Sequence, residues 1–342
     1  MLAELVNSLR RSLGILHKQD IQAVSQFYGA GAEAGARTTI STSFADRFQQ
    51  PSAILLGDDC AAIPDGDGYL LLAAEGLLPS LVDAEPWFAG WCAVLVNISD
   101  IYAMGGRPIA VVDAIWSQSV AASQPLWQGM EKAARTYNVP IVGGHTNCHS
   151  PYNALSVAIL GRAQRLITSF NAKPGDILLV ATDFRGAPYR DYPFWNAATD
   201  ADPARLREDL ALLPLLAEAQ LCDAGKDISM GGILGTLLML LETSGCGARL
   251  DLDRVPCPPG LPLERWLVSF PSYGFLLSVR PERVAAVQAH FQQRDLVCAA
   301  VGEITPGSAL VLYHGGESEL FWDLSQQLLT GFSSRFSAAA QP

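Results

Sequence analysis

Apolar residues Leu2, Leu5, Val6, Leu9, Leu13 and Leu16 recur at helical spacing, which predicts a helix over 1–28. A Gly- and Ala-rich stretch over 29–36 breaks that rhythm. The pattern then shortens to strands over 53–56 and 60–63, a turn at Pro64-Asp65-Gly66-Asp67-Gly68, and an apolar strand over 69–74 ending in Glu75-Gly76. A long apolar segment from Pro86 to Met104 reads as a helix; Gly105 and Gly106 stop it, and Pro108 opens an extended strand over 108–116. A helix over 121–138 and a short buried strand over 139–142 follow, running into Gly143-Gly144-His145-Thr146, then a strand over 154–162. Asn171-Ala172-Lys173-Pro174-Gly175-Asp176 marks a boundary. Beyond it the pattern predicts strands over 177–181, 273–279, 296–303 and 309–313, and helices over 204–224, 232–244 and 281–293. The stretch 183–203 reads as a loop whose Arg and aromatic content argues against disorder.

The mixture of strands and helices predicts an α/β or α+β chain, and 342 residues suit two domains. The organisation expected is an N-terminal helix and Gly-rich stretch over 1–36, domains over 37–168 and 169–332, and a Ser/Ala-rich tail over 333–342. A net charge of −11 argues against nucleic acid as a main partner, because phosphate contacts need clustered Lys and Arg. Seven scattered cysteines with no Cys-x-x-Cys pair suggest neither a disulfide framework nor a structural zinc site, and a cytoplasmic home is the simplest. The longest apolar run, around Trp87–Val96, is too short for a membrane span, and no signal-peptide core opens the chain.

Asn97 and Asp100 lie three apart in the last turns of a helix that should be buried, so they share a face. A buried carboxylate costs several kcal/mol unless paired or metal-bound, so Asp100 calls for a cation. Gly57-Asp58-Asp59, Glu75-Gly76, Gly143-Gly144-His145-Thr146 and Lys226-Asp227-Ile228-Ser229 also place small polar or acidic residues at the ends of apolar elements. Oxygen-rich clusters of this kind select hard ions such as Mg²⁺, which bridges to phosphates, and paired glycines let backbone approach a phosphate closely. The implied site is one for a metal and a nucleotide phosphate. Each piece also has a plainer reading as a turn or cap.

In collinear order from about residue 50 to residue 315, Gly-Asp-Asp-Cys-Ala, Glu-Gly, Asn-Ile-Ser-Asp-Ile-Tyr-Ala-Met-Gly-Gly-Arg-Pro, Gly-Gly-His-Thr, Lys-Pro-Gly-Asp and Asp-Ile-Ser-Met-Gly-Gly resemble the superfamily of aminoimidazole ribonucleotide (AIR) synthetase, thiamine-monophosphate kinase and selenophosphate synthetase. The stretch from Lys226 to Thr236 is most similar to an uncharacterised AIR-synthetase-related branch. The resemblance implies a two-domain α+β fold, with N-terminal domains pairing into a dimeric β-barrel and a C-terminal α/β sandwich domain. It implies a homodimer that binds ATP and Mg²⁺ and phosphorylates or activates a small-molecule substrate. Carried over by position, Asp58, Asp59, Glu75 and Asp100 would hold Mg²⁺. Asn97, Gly143, Gly144 and Thr146 would frame the phosphates, and Asp227 would come from the second domain. The stretch 29–36 would be a flap over ATP, with Lys18 before it either touching phosphate or simply solvated. Arg185 or Arg190 would meet an anionic group of the substrate.

The chain also departs from these relatives. Glu75 stands where many carry Asp, His145 where the kinases and AIR synthetases carry an acid, and Met230 where the kinase pattern has a second carboxylate. His145 is then a candidate general acid or base. The same losses support a second reading, a catalytically altered nucleotide- or metabolite-binding subunit serving a partner enzyme. His145, Cys148 and His149 raise a zinc site as a further alternative, without an evident fourth ligand.

Overall fold

The computed structural model describes residues 2–29, 37–38 and 54–332. The flap expected over 29–36 lies, from residue 30 onward, outside the described residues, as does the tail over 333–342. The chain divides into two compact units. One takes Asp59–Leu166 with Ala198–Leu215; the other takes the described parts of Met1–Asp58 with Ile167–Ala197 and Leu216–Pro342.

The expected N-terminal helix is three short ones, α1 (Leu2–Arg10), α2 (Leu13–Lys18) and α3 (Ile21–Gly29). The chain turns at Ser12 and again at Gln19-Asp20 although the apolar spacing continues, because each piece docks separately. The α1 helix is tied by Arg10, whose guanidinium donates to the carbonyls of Phe321, at 2.7 Å, and of Leu320. Gly14 of α2 lies so close to Gly231 that a Cβ there would stand 2.5 Å from its nitrogen. Two-residue strands β1 (Arg37–Thr38) and β2 (Ile54–Leu55) pair antiparallel.

The first-named unit carries a five-stranded sheet of β3 (Ala61–Asp65), β4 (Gly68–Gly76), β5 (Arg107–Trp116), β6 (Ile141–Asn147) and β7 (Ala154–Ala163), in the order β3-β4-β7-β5-β6. The sheet is open, with β3 and β6 as edges. Helices α4 (Pro79–Ala84), α5 (Pro86–Ala103) and α6 (Val120–Tyr137) connect its strands. The α5 helix is buried along almost its whole length, which accounts for its unbroken apolar run. The structure corrects one strand: β6 is not a short buried strand followed by a loop. It is a seven-residue edge strand, exposed throughout, and Gly143-Gly144-His145-Thr146 lie within it, paired parallel to β5. Of the apolar run, Val139 is buried ahead of the strand, while Ile141 and Val142 stand exposed on its open edge.

The other unit is built on a seven-stranded sheet, in the order β11-β14-β8-β15-β12-β16-β17. Its strands are β8 (Ile177–Thr182), β11 (Ala224–Asp227), β12 (Gly247–Asp251), β14 (Gly274–Val279), β15 (Val297–Thr305), β16 (Ala309–His314) and β17 (Glu317–Asp323). Leu178, Val180, Leu276, Val301, Ile304 and Leu312 form a core with Ile233, Leu237 and Leu241 of a helix spanning Gly232–Ser244. The expected loop over 183–203 is partly ordered as strands: β9 (Ala187–Pro188) and β10 (Phe194–Asn196) form a small sheet with β13 (Phe270–Pro271). The helix expected over 204–224 is two short ones, α7 (Pro203–Leu210) and α8 (Leu212–Glu218). Numbered on, Gly232–Ser244 is α9, followed by α10 (Leu263–Leu267) and α11 (Val284–Gln292).

Candidate functional site

The best-defined candidate centre sits at the C-terminal end of α5. Pro86 opens that helix, and Gly105, at φ +72°, releases the chain after Met104. Asn97 is fully buried; its Nδ2 donates to the Ala93 carbonyl at 2.8 Å, while Oδ1 has no hydrogen-bond partner among the described residues. One turn on, Asp100 is buried, and its carboxylate comes within 4.8 Å of that of half-buried Asp59. Two carboxylates this close, one buried, repel each other unless a cation or proton intervenes. Carboxylate and amide oxygens are the donors that Mg²⁺ accepts, and the orphaned Asn97 oxygen is a further hard donor on the same helix face. The residues therefore fit a hard divalent cation.

The other expected residues divide. Asp58 is not a loose ligand beside Asp59. Its carboxylate accepts the Thr168 hydroxyl and the Ser169 N–H, at 3.0 Å. Glu75 is exposed on β4, where its carbonyl accepts the Ser156 hydroxyl at 3.0 Å. Gly143, Gly144, His145 and Thr146 are strand residues. By register, His145 lies across from Ala114. Gly144 faces the other way, onto Asp113, whose Oδ1 would stand 2.6 Å from a Cβ at Gly144. Burial pushes the Asp113 carboxyl above its ordinary range. The zinc alternative finds no support: His145, Cys148 and His149 do not converge on one ion among the described residues, and Cys148 Sγ instead lies 3.7 Å from Ser123 Oγ.

Asp227 is buried in β11, paired with Phe275, and opens the turn leading to α9. Gly231 and Gly232 take φ of +95° and +62° there, which L side chains rarely adopt. Half-buried Lys18 reaches that turn, with Nζ 3.3 Å from Ser229 Oγ, so it is not merely a solvated surface lysine. Arg185 is committed elsewhere. It donates to both oxygens of buried Asp183, at 2.7 and 3.2 Å, and to the Arg294 carbonyl at 3.1 Å. The Arg190 guanidinium lies 5.7 Å from the Tyr189 ring centroid. Thr168 and Ser169 carry no signal in the sequence. The one available signal is Glu242, a charge inside the otherwise apolar run of α9.

The family model for AIR synthase related protein, N-terminal domain, matches residues 57–163, and that for its C-terminal domain matches 173–315. An uncharacterised protein of Synechocystis sp. is 58% identical over 334 residues, covering 97% of this chain and 99% of its own. The thiamine-monophosphate kinase of Caulobacter vibrioides is 25% identical over 303 residues, covering 80% and 85%. The solved structure of T. maritima PurL complexed with ADP aligns with a TM-score of 0.69 at 19% identity, over 95% of this chain; this chain spans about half of that one, 54%. The fold is thus the two-domain α+β fold of those relatives, and the chain belongs to the AIR synthase related protein family.

Proposed function

We propose that this protein is an ATP- and Mg²⁺-dependent enzyme that phosphorylates or activates an oxygen or amide of a small metabolite. The observation that carries the reading is the Asp59–Asp100 carboxylate pair, with the orphaned Asn97 oxygen one turn away. Asp59, Asp100 and Asn97 would hold the metal, and Asp227 is a candidate catalytic residue on the strength of the family resemblance. A bound Mg²⁺ would neutralise phosphate charge as it shifts during transfer. The chain's own residues supply positioning: Lys18, near the α9 turn, for a phosphate, and Arg190 for an anionic group of the substrate. His145 is the candidate to move a proton. The kinase relative and the ADP-bound structural neighbour support this class of chemistry. Seven free cysteines suit a reducing compartment, so we place the protein in the cytoplasm. No helix among the described residues is long and apolar enough to cross a membrane.

The test is calorimetry with a non-hydrolysable ATP analogue, with and without Mg²⁺. Binding is expected only with Mg²⁺, and Asp100→Asn should weaken it at least tenfold (about 1.4 kcal/mol) without loss of the fold. A wild-type chain that binds no nucleotide in the presence of Mg²⁺ overturns the reading. ADP release against a panel of acids, amides and phosphomonoesters then separates an enzyme from the alternative that Met230 favours, a binding subunit that holds nucleotide without turnover.

We also propose that the chain works as a homodimer, joined through the open face of the five-stranded sheet. Across that face Leu72, Leu160 and Ala110 form one cross-strand row, and Ala74, Ala158 and Val112 form the next.

A further inference from the structure

Asp58 is held at both ends of a chain of contacts that leads back to one short segment. Its carboxylate accepts Thr168 Oγ1 and the Ser169 N–H. The Ser169 carbonyl in turn accepts Thr243 Oγ1 at 2.8 Å and Ser244 Oγ at 2.6 Å. Both hydroxyls sit at the C-terminal end of α9. The residue before them, Glu242, is fully buried inside the apolar helix. It accepts the N–H groups of Leu329 and Thr330, each at 2.8 Å, that of Gly331 at 3.1 Å, and the Thr330 hydroxyl. Gln22 holds the same strap from α3, donating to the carbonyls of Leu328 at 2.7 Å and Leu329 at 3.2 Å. The strap ends in Phe332, packed on Gly57. A Cβ on Gly57 would stand 2.6 Å from Phe332 Cβ, and φ there is +108°. Glu242, Thr243 and Ser244 therefore grip, by two separate routes, the supports of two adjacent residues, Gly57 and Asp58.

A buried carboxylate with four donors costs more to leave unsatisfied than a neutral hydrogen bond, so this clamp is rigid where an exposed loop is not. We propose that Glu242-Thr243-Ser244 is a remote positioning device for the metal loop, with Asp58 as its anchor rather than a metal ligand. The inference rests on the reading that Asp59 and Asp100 bind the metal. Fixing Gly57 and Asp58 fixes where the next peptide starts, and with it the backbone that carries Asp59. Supports of this kind are worth about 10–100-fold in metal affinity.

Mn²⁺ binding to the full chain, read by electron paramagnetic resonance and paired with thermal unfolding, tests the clamp. Removing Glu242 endangers the fold, so the variants act at the far ends. Asp58→Asn keeps an oxygen to accept from Thr168 and Ser169 and is expected to retain most of the Mn²⁺ affinity. Asp58→Ala and Phe332→Ala should each weaken it about tenfold or more while the chain still unfolds cooperatively. Asp59→Asn should abolish it. If Asp58→Asn loses Mn²⁺ as Asp59→Asn does, Asp58 is a direct ligand and the proposal falls. If Asp58→Ala and Phe332→Ala bind as wild type does, the clamp transmits nothing and the proposal falls while the metal reading stands. A wild-type chain that binds no Mn²⁺ overturns the metal reading, and the clamp with it.

Discussion

Gly144 and Asp113 show how one residue's chemistry is set by its neighbour. The sequence presents Gly144 as half of a glycine pair suited to a phosphate. In the fold, its missing side chain makes room for the Asp113 carboxylate, which a Cβ would meet at 2.6 Å. No hydrogen bond or ion pair of the Asp113 side chain occurs among the described residues, and burial pushes its carboxyl up. The sign follows: the fold favours the protonated acid, so ionised Asp113 is a burden at neutral pH and none once it is protonated. Asp113→Asn should therefore raise the melting temperature at pH 7. The gain should shrink as the pH falls through the raised pKa and vanish below the ordinary value of 3.8, where the acid is protonated in both states. Melting curves at pH 7 and pH 3 decide it; a gain of equal size at both would show that the charge is not the cause.

At the scale of elements, α5 and α6 cross unusually closely. A Cβ at Gly129 would lie 1.9 Å from the Trp87 carbonyl oxygen, and one at Gly90 would lie 2.2 Å from that of Leu126. Because backbone blocks the added atom, Gly129→Ala must push the helices apart. It should cost about 1–3 kcal/mol despite the better helix propensity of Ala, measured by urea denaturation. A stabilised variant would mean the crossing is looser than this. The same pair shows what the sequence makes legible. The long helices α5, α6 and α9 are readable because each is long and either buried all round or amphipathic. Strand β11 is not, because Ala-Gly-Lys-Asp has no apolar run; its burial comes from pairing with β14. The Asp59–Asp100 pair is legible in part, since Asn97 and Asp100 signal a buried polar helix face. The separation of Asp58 from Asp59 is not, because adjacent carboxylates look alike in sequence and only Thr168 and Ser169, more than a hundred positions on, distinguish them.

For the whole molecule, the strongest demand comes from the partly exposed apolar face of the five-stranded sheet. Leu72 is 48% exposed, Val112 42% and Leu160 37%, and neighbouring strands bring these positions into adjoining rows. The edge strand β6 adds Val142, 63% exposed, and an edge that no other described strand pairs. An apolar sheet face and an open edge together are an aggregation hazard for a lone chain, and pairing two copies removes both at once. A homodimer joined there has twice the 36.6 kDa mass of one chain. Light scattering on the purified protein should return the dimer mass. Val112→Glu, which sets a like charge from each copy into the apolar face, should release folded monomer at micromolar concentration with the circular dichroism unchanged. Because the candidate metal carboxylates Asp59 and Asp100 belong to a single copy, that monomer should still bind Mn²⁺. A wild-type monomer, or a Val112→Glu dimer of undiminished strength, would place the contact elsewhere.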